Sequence, residues 1–448
     1  MADHRPRGGK RGDMFAHRLG RRALLRSGAI GAMGIGAATL VPSVSAARPG
    51  AAQENGCSGD DVEITYGFWN AEQRPAIEAQ IEAFQEQHPN ISVSPQVVPF
   101  ADYFTKLQTG IAGGETYDVF WMNGPNFPVY ASQGALADLS AITGDDGVDM
   151  SAYPETLRDL YSFDGTLYGM PRDFDTIGLY YNKDLFDAAG VEYPTADWTW
   201  EDLRAAAEAL TVKEGDQTSQ WGFGSILSAQ QNLYNFIYQN GGQIISEDGS
   251  EALLDEPEAC EALLFLTDMV TDGLSPDVAT QQGNNLYQTL FPAGVVAMLP
   301  GGSWHAGRLH EANPAIAVAP LPESMQDASV IHGLANVVWS GSEHQCEALE
   351  FVEFLGSEEA QQILAETATV IPAMNGLQET WKEAVPEMDL QVFLDAVDYS
   401  VPYPTAPGGA EWEAALNDVI VEAWSGGIPR DEICQRADGA VTTALQRS

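Results

Sequence analysis

The sequence predicts an α/β fold, because apolar strand patterns alternate with amphipathic helix patterns from about residue 61 onward. Val62–Tyr66 and Tyr117–Trp121 have the apolar composition of buried strands. Pro75–Gln87, which lies between them, carries apolar residues at helical spacing. Strands that alternate with helices form a largely parallel sheet, and such a sheet binds ligands at the carboxyl ends of its strands.

The same alternation continues along the chain. Ile91–Val98 predicts a second strand, and Phe104–Ala112 predicts a helix that ends at two glycines. Later strands are predicted at Thr176–Tyr181 and Gly294–Leu299. One later helix is predicted to end at Gly190, and another to begin after the capping residue Thr199, which has Asp202 three positions on. Three more are predicted at Cys260–Val270, Glu411–Trp424 and Arg430–Leu445.

The 448 residues are enough for two or three domains, and the first 46 differ in composition from the rest. These 46 residues hold eight basic and two acidic residues, the uncharged run Ala29–Val41 and a small-x-small cleavage site. This order predicts a signal peptide over residues 1–46, and therefore an exported protein at the extracellular side of the membrane. Arg21 and Arg22 make the signal similar to the twin-arginine type, and residues 47–60 have the composition of a linker.

The charge of the remaining chain excludes one class of partner. Of the 21 basic and 64 acidic residues, 13 basic and 62 acidic ones follow residue 46, which gives a net charge near −49. Such a charge excludes nucleic acid as a natural partner and makes an anionic membrane surface repellent. The hydrophobic content of 44% is nevertheless typical of a folded soluble protein.

Four cysteines remain after the signal peptide: Cys57, Cys260, Cys346 and Cys434. In an exported protein they can form disulfides, and the sequence leaves all three pairings open. No C-x-x-C motif occurs, so neither a metal site nor thiol-redox chemistry is predicted. Cys57 stands just before the first strand, where exported lipoproteins carry a lipidated cysteine, so lipid attachment is one alternative for it.

Several segments between about Asp61 and the C-terminus are typical of one family. The most specific are Tyr180–Phe186 (YYNKDLF) and Trp198–Trp200 (WTW), and weaker ones are Gly302–Trp304 and Ala348–Leu355. On these residues the chain resembles the extracellular sugar-binding proteins of ABC importers, the broad family to which maltose-binding proteins belong. The resemblance implies a periplasmic-binding-protein-like type II fold, in which two α/β lobes are joined by a three-crossing hinge.

The resemblance also implies lobes that are discontinuous in sequence. Lobe 1 would contain residues 61–175 and 335–397, and lobe 2 would contain residues 176–334 and 398–448. The three crossings would lie near Asp173–Gly178, His332–Val337 and Asp398–Pro404. Polar side chains of the first crossing would then face the cleft between the lobes.

The function that the resemblance implies is capture of a carbohydrate, either an oligosaccharide or a small glycoside, and its delivery to the permease subunits of an ABC importer. Such a protein catalyses no reaction and needs no cofactor, and we expect a monomer. A sugar presents CH patches and hydroxyl groups. Flat aromatic faces suit the patches and planar polar groups suit the hydroxyls, with water expelled on closure.

Candidate ligand contacts follow the predicted strands of lobe 1 and its hinge. Trp69 and Asn70 follow the first strand and Asn123 follows the third, although core packing is the alternative for Trp69. The resemblance places Asp175 at the position of a sugar-binding acid, and a carboxylate accepts from two adjacent hydroxyls at once. Arg172 is a candidate beside it, with a salt bridge to a neighbouring aspartate as the alternative.

Further candidates lie in lobe 2. Trp304 is predicted as a stacking residue, because the glycines before it let the backbone approach a ligand closely. The resemblance implies a second aromatic platform at Trp412. Gln231 and Tyr234 are candidates for amide and phenol contacts, and an ordinary helix face is the alternative for both.

Two other functions remain open. One is a secreted glycoside hydrolase, which needs two carboxylates, and so many acidic residues provide such pairs by chance. The hydrolase motif G-x-S-x-G is not matched at Gly301–His305, because His305 replaces its last glycine. A polyamine or other cation suits acids beside aromatic rings. A ferric site on Tyr180 and Tyr181 is disfavoured, since neighbours in a strand point to opposite faces.

Overall fold

Two main β-sheets, each covered by helices, organise the chain. The computed structural model describes residue 57 and residues 59–144, 147–215, 217–246, 248–283, 285–406 and 409–447. The strands are β1 Val62–Phe68, β2 Ile91–Val97, β3 Val119–Asn123, β4 Ser162–Phe163, β5 Thr166–Leu167, β6 Gly169–Asp175, β7 Ile177–Asn182, β8 Val212–Glu214, β9 Gln217–Phe223, β10 Val296–Gly302, β11 Ile316–Ala319, β12 Ser329–Val338, β13 Ile371–Pro372 and β14 Ser400–Pro402. The α-helices are α1 Arg74–Gln87, α2 Phe100–Gly113, α3 Phe127–Ser132, α4 Glu155–Leu160, α5 Lys183–Ala189, α6 Trp200–Leu210, α7 Tyr234–Gln239, α8 Pro257–Thr271, α9 Val278–Gly283, α10 Ala306–Ala312, α11 Gln345–Leu355, α12 Glu358–Glu366, α13 Gln378–Glu383, α14 Gln391–Asp395, α15 Glu411–Trp424 and α16 Ile433–Leu445.

The first sheet has the strand order β13-β6-β12-β3-β1-β2, and β14 pairs with β12. β1 is parallel to β2 and to β3, whereas β12 is antiparallel to β3 and β6. Gly67 of β1 pairs with Phe120 of β3, so these two strands end next to each other. The residues that follow them, among which are Trp69 and Gly124, therefore lie at one edge of the sheet.

The second sheet has the order β11-β7-β10-β9-β8. β10 is antiparallel to β7 and parallel to β9. Gly302 at the end of β10 pairs with Ile177 at the start of β7. The turn after β10 is thereby placed beside the point where the chain enters this sheet.

The chain passes between the sheets at three places. It leaves the first sheet after Asp175 and enters the second at Ile177, and it returns between Ala319 and Ser329. The third passage runs through β14 to α15, whose apolar residues belong to the core of the second sheet. The second passage precedes the expected His332–Val337, because β12 already begins at Ser329. The residue ranges given above for the two lobes remain a prediction.

Hydrogen bonds hold the three passages together. The Thr176 hydroxyl donates to the Phe393 carbonyl at 2.7 Å, and the Ile177 backbone N–H donates to Ser329 Oγ at 2.8 Å. Ser329 also pairs with Ser400 of β14. Segments far apart in sequence are thus joined side by side at the base of the two sheets.

Local sequence signals explain where several helices begin and end. The predicted cap of α6 is confirmed, since Thr199 and Asp202 form a reciprocal capping box. The end of α5 at Gly190 is also confirmed, and this glycine has the left-handed φ of 66° that ends helices. α2 begins at Phe100, directly after Pro99 and four residues before the predicted start.

The other predicted elements compare closely with the structure. The strands expected at Val62–Tyr66 and Ile91–Val98 are confirmed as β1 and β2. The helices expected at Cys260–Val270 and Glu411–Trp424 are confirmed as α8 and α15. α16 begins after a single 3₁₀ turn, so the helix predicted at Arg430–Leu445 is slightly shorter than expected.

The four cysteines form two disulfides, Cys57–Cys346 and Cys260–Cys434. The first joins the segment before β1 to α11, and the second joins α8 to α16. In this structure the Cys57 sulfur is bonded to Cys346, so it offers no free thiol for a lipid. The alternative of lipid attachment at Cys57 is corrected accordingly.

The predicted signal peptide, with its arginine pair, lies outside the described residues, and so do residues 47–56 and 58 of the predicted linker. The part of the chain that follows forms one compact unit. Among its described residues, no helix has the combined length and apolar character that crossing a bilayer requires.

Candidate functional site

A cleft of about 1140 Å³ opens at the ends of the two sheets. The first sheet lines it with residues that follow β1, end β3 and end β6. The second lines it with the turn after β10 and the π-helical turn Ala229–Leu233. Six of the predicted site residues line this one cavity, namely Trp69, Asn70, Asn123, Asp175, Gln231 and Trp304.

Trp304 lies in the 3₁₀ turn that follows β10, and its indole is partly buried. A Cβ atom at Gly302 would lie 2.0 Å from the Trp304 ring, so a glycine at this position makes room for the indole. We expected the glycines to let the backbone approach a ligand, whereas Gly302 makes room for the Trp304 side chain. The ring also packs against an apolar cluster formed by Ala76, Leu364 and Val370.

Gln231 fixes the orientation of His305 in the same turn. The Gln231 Oε1 atom lies 3.0 Å from His305 Nε2 and accepts from the Gly302 backbone N–H at 3.4 Å. Since an amide oxygen only accepts, His305 carries its proton on Nε2. Burial, together with the smaller effect of the Arg308 charge, lowers the pKa of His305 to about 3. The imidazole, stacked on Tyr287 with ring centroids 3.8 Å apart, is therefore neutral at physiological pH.

Asp175 lies at the hinge between the two sheets and is bonded from both sides. Gln230 donates its amide to Asp175 Oδ1 at 2.8 Å. On the other side, His332 Nε2 accepts from the Gly124 backbone N–H at 3.1 Å, so the proton of the His332 ring is on Nδ1. This Nδ1 atom lies 3.7 Å from Asp175 Oδ2. Asp175 Oδ2 consequently keeps acceptor capacity toward the cleft.

Glu413 is a second carboxylate of the cleft wall, contributed by the first turn of α15. The Tyr403 hydroxyl donates to Glu413 Oε2. Burial raises the pKa of Glu413, and the hydrogen bond from Tyr403 works in the opposite direction. In the described part of the chain, no Lys or Arg side chain forms an ion pair with Asp175 or Glu413.

The outer part of the cleft is closed on one side by contacts between its two walls. Glu72, next to β1, lies 3.0 Å from Arg308 Nε and accepts from the Gln288 amide at 2.9 Å. Arg308 also donates to the Tyr287 carbonyl at 2.8 Å. These contacts connect the first-sheet side with the second-sheet side only while the two walls are close together.

The lobe 1 candidates are held by local interactions. Asn70 accepts from the Glu72 backbone N–H at 2.9 Å and so caps the short turn after β1. Asn123 accepts from the Asn126 amide at 2.8 Å, which leaves its own NH₂ group for another acceptor. Trp69 packs edge-to-face on Tyr103, with ring centroids 4.9 Å apart, and only part of its ring remains in the cleft.

Arg172 does not line the cleft, which corrects the expectation for this residue. It is 1% exposed, forms an ion pair with Asp173 and donates to Gln73 Oε1 at 2.7 Å. Its guanidinium also lies 4.3 Å from the centre of the Trp121 ring. The salt bridge that the sequence left as an alternative is the one observed, because a buried arginine requires paired acceptors.

Tyr234 and Trp412 are also outside the cleft lining and need the same correction. Trp412 is 2% exposed and Tyr234 is fully buried, and their rings stack on each other. Helical periodicity accounts for Trp412, since it shares one apolar face of α15 with Leu416 and Ile420. Other positions of that turn, including Glu413 and Ala414, line the cleft instead.

Sequence reasoning missed several residues that line the cleft, namely Glu72, Gln230, Tyr287, Gln288, Arg308, His332, Tyr403 and Glu413. Glu413 had a usable signal, because Glu413 and Asn417 are four residues apart on the polar side of the predicted helix. Glu72, Gln288 and Arg308 had none, since their contacts depend on how distant segments approach each other.

Comparison with known proteins gives a consistent family. The bacterial extracellular solute-binding protein family matches residues 70–362. The diacetylchitobiose-binding protein of Streptomyces coelicolor is 29% identical over 332 residues, which cover 70% of this chain and 72% of that protein. The arabinooligosaccharide-binding protein of Bacillus subtilis is 27% identical over 338 residues, which cover 70% of this chain and 73% of that protein.

Solved structures show the fold. An ABC substrate-binding protein of Listeria monocytogenes in complex with cycloalternan matches with a TM-score of 0.81 and 32% identity. The match covers 86% of this chain and 100% of that chain. The predicted periplasmic-binding-protein-like fold of two α/β lobes is thereby confirmed.

Proposed function

This chain belongs to the family of bacterial extracellular solute-binding proteins, and from that premise we propose that it captures an oligosaccharide or small glycoside and delivers it to an ABC importer. The cleft carries the proposal, because it combines indole faces at Trp69 and Trp304 with uncharged and anionic hydrogen-bonding groups. Relatives named as binding diacetylchitobiose and arabinooligosaccharide support the carbohydrate class.

Each wall supplies a different part of sugar recognition. The Trp304 indole offers an apolar face for a CH patch, and stacking of this kind adds about 1 kcal/mol beyond burial. Asp175 Oδ2 accepts from ring hydroxyls, while the free NH₂ group of Asn123 donates to them. Every hydroxyl that enters must exchange its bonds to water for bonds to such groups.

Closure of the cleft couples binding to recognition by the importer. The contacts of Glu72 with Arg308 and Gln288 join the two walls, so they favour the closed arrangement. A ligand shifts the balance further only if it binds both walls together. The protein works outside the cytoplasm after export, as a monomer, and its partners are the permease subunits. It performs no catalysis and uses no cofactor.

A cation such as a polyamine is the second candidate ligand. The observation that favours it is the pair of carboxylates Asp175 and Glu413, which lack a Lys or Arg partner within the described residues. An ammonium group between these acids and the Tyr403 ring would gain both ionic and cation–π attraction. The hydroxyl-binding amides of the cleft favour the sugar.

Tryptophan fluorescence of the exported chain, titrated with maltose, trehalose, cello- and xylo-oligosaccharides and spermidine, tests the proposal. We expect saturable binding of at least one carbohydrate, checked by calorimetry. Binding of spermidine alone would replace the proposed ligand class with the second candidate. A parallel reducing-sugar assay on the bound carbohydrate should detect no hydrolysis, and release of reducing ends would indicate an enzyme.

A further inference from the structure

The cleft extends beyond Trp69 along helix α2. Phe100, Phe104 and Gln108 line this extension, and they are spaced four residues apart. Four-residue spacing places them on one stripe of the helix, while Tyr103 and Leu107 on the neighbouring stripe are buried in the core. The helix therefore presents two aromatic rings and an amide to the cleft in a row.

Phe100 is unusually exposed for its size. Its side chain is 55% exposed, and among the described residues only Tyr193, Val212, Met325 and Val397 are other large exposed hydrophobic residues. None of these four lines the cleft, whereas Phe100 does. An apolar ring kept in water costs free energy unless something covers it in the functional state.

The Phe100 ring also packs against two aromatic neighbours. It meets Trp69 edge-to-face, with ring centroids 5.5 Å apart, and Phe104 at 5.9 Å with an interplanar angle of 90°. Two such neighbours restrict the rotation of the ring while its outer side stays in solvent. A preorganised aromatic face loses little conformational entropy when a flat apolar patch binds to it.

We infer that Phe100, with Phe104 and Gln108, forms an outer subsite for an additional sugar ring, so that the ligand is an oligosaccharide rather than a monosaccharide. The inference rests on the proposed function. Phe100 stacks on the CH patch of the outer ring, and the Gln108 amide contacts its hydroxyls. The cleft volume of about 1140 Å³ lies at the upper limit of the roughly 300–1,000 Å³ of small-ligand pockets, so the cleft has room for more than one sugar ring.

Affinity as a function of chain length tests the inference. Malto-, cello- and xylo-oligosaccharides of one to six units are titrated calorimetrically into the wild type, Phe100→Ala and Phe100→Tyr. We expect affinity to rise with chain length in the wild type. Phe100→Ala should weaken the longest bound sugar by about tenfold and leave the shortest bound sugar unchanged, while Phe100→Tyr keeps the wild-type profile.

Met325→Ala is the matched control, because Met325 is 72% exposed and lies outside the cleft lining. An equal loss by Phe100→Ala at every chain length would overturn the subsite and make Phe100 a support for Trp69. Unchanged sugar binding combined with slower uptake through a reconstituted importer would assign Phe100 to permease contact instead. If the wild type binds no carbohydrate, the proposed function itself fails, whatever Phe100→Ala does.

Discussion

The turn after β10 and the first turn of α15 border the same cleft, and each contains one tryptophan. In the first, Gly302 leaves room for the Trp304 ring to lie over the backbone at the cleft wall. In the second, helical periodicity directs Trp412 into the core and Glu413 toward the cleft. The local backbone, and not the residue type, decides whether an aromatic ring can contact a ligand.

The largest effect is expected for Trp412→Ala. Removal of a fully packed indole should lower the free energy of unfolding by about 3–5 kcal/mol, because the surrounding core cannot refill the cavity. Urea unfolding of the unliganded protein measures this. The folded fraction should keep nearly wild-type sugar affinity. Unchanged stability together with lost binding would return Trp412 to the ligand site.

A smaller effect of the opposite kind is expected for Trp304→Ala. Loss of the stacking face should weaken sugar binding by about tenfold or more, with a much smaller change in unfolding free energy than Trp412→Ala. Calorimetry and urea unfolding provide the two readouts. Gly302→Ala is a useful companion, since it keeps the indole but removes the space that the ring occupies. A stability loss as large as that of Trp412→Ala would make Trp304 a core residue.

The smallest effect concerns protonation. The pH dependence of stability should have opposite signs for His305 in the turn after β10 and for Glu413 in the first turn of α15. The folded-state pKa of His305, about 3, is below its ordinary value near 6.5, so the unfolded chain binds a proton that the folded one does not. The wild type should therefore lose stability relative to His305→Gln as pH falls, by about 0.7 kcal/mol between pH 7 and pH 6. Urea unfolding at both pH values measures the difference.

Glu413 provides the comparison for this measurement. Its folded-state pKa is raised, so the folded chain holds a proton that the unfolded chain has already released. The wild type should lose stability relative to Glu413→Gln as pH rises from the ordinary glutamate pKa through the raised one. If the stability difference from the wild type changed with pH in the same direction for His305→Gln and Glu413→Gln, the opposite pKa shifts of the two residues would be contradicted.

Much of the fold was predictable, because its signals are local. The capping box of Thr199 and Asp202 and the left-handed Gly190 involve residues within a few positions of one another. The strand β1 was predicted from apolar composition alone. The start of α2 was misplaced by four residues, because the preceding residue Pro99 offers no side-chain cap that would mark the start in the sequence.

The candidate site was predictable mainly where a turn follows a strand, with Gln231 of the π-helical turn as the exception. Trp69, Asn123 and Trp304 stand at strand ends, and all three line the cleft. Arg172 lies in the middle of β6, and it is buried with Asp173 and Gln73. Which side of a strand faces the cleft depends on the segments packed against it, and those come from distant parts of the chain.

The sequence by itself determined the alternation of strands and helices, the family and the strand ends that carry polar and aromatic residues, because hydrogen bonding and hydrophobic periodicity act over a few residues. Only the tertiary structure decided that Cys57 bonds to Cys346, that Gln230 donates to Asp175 and that Glu72 meets Arg308. Such pairs form when separate segments are brought within a few ångströms. Packing of the whole chain sets that approach, and no local pattern encodes it.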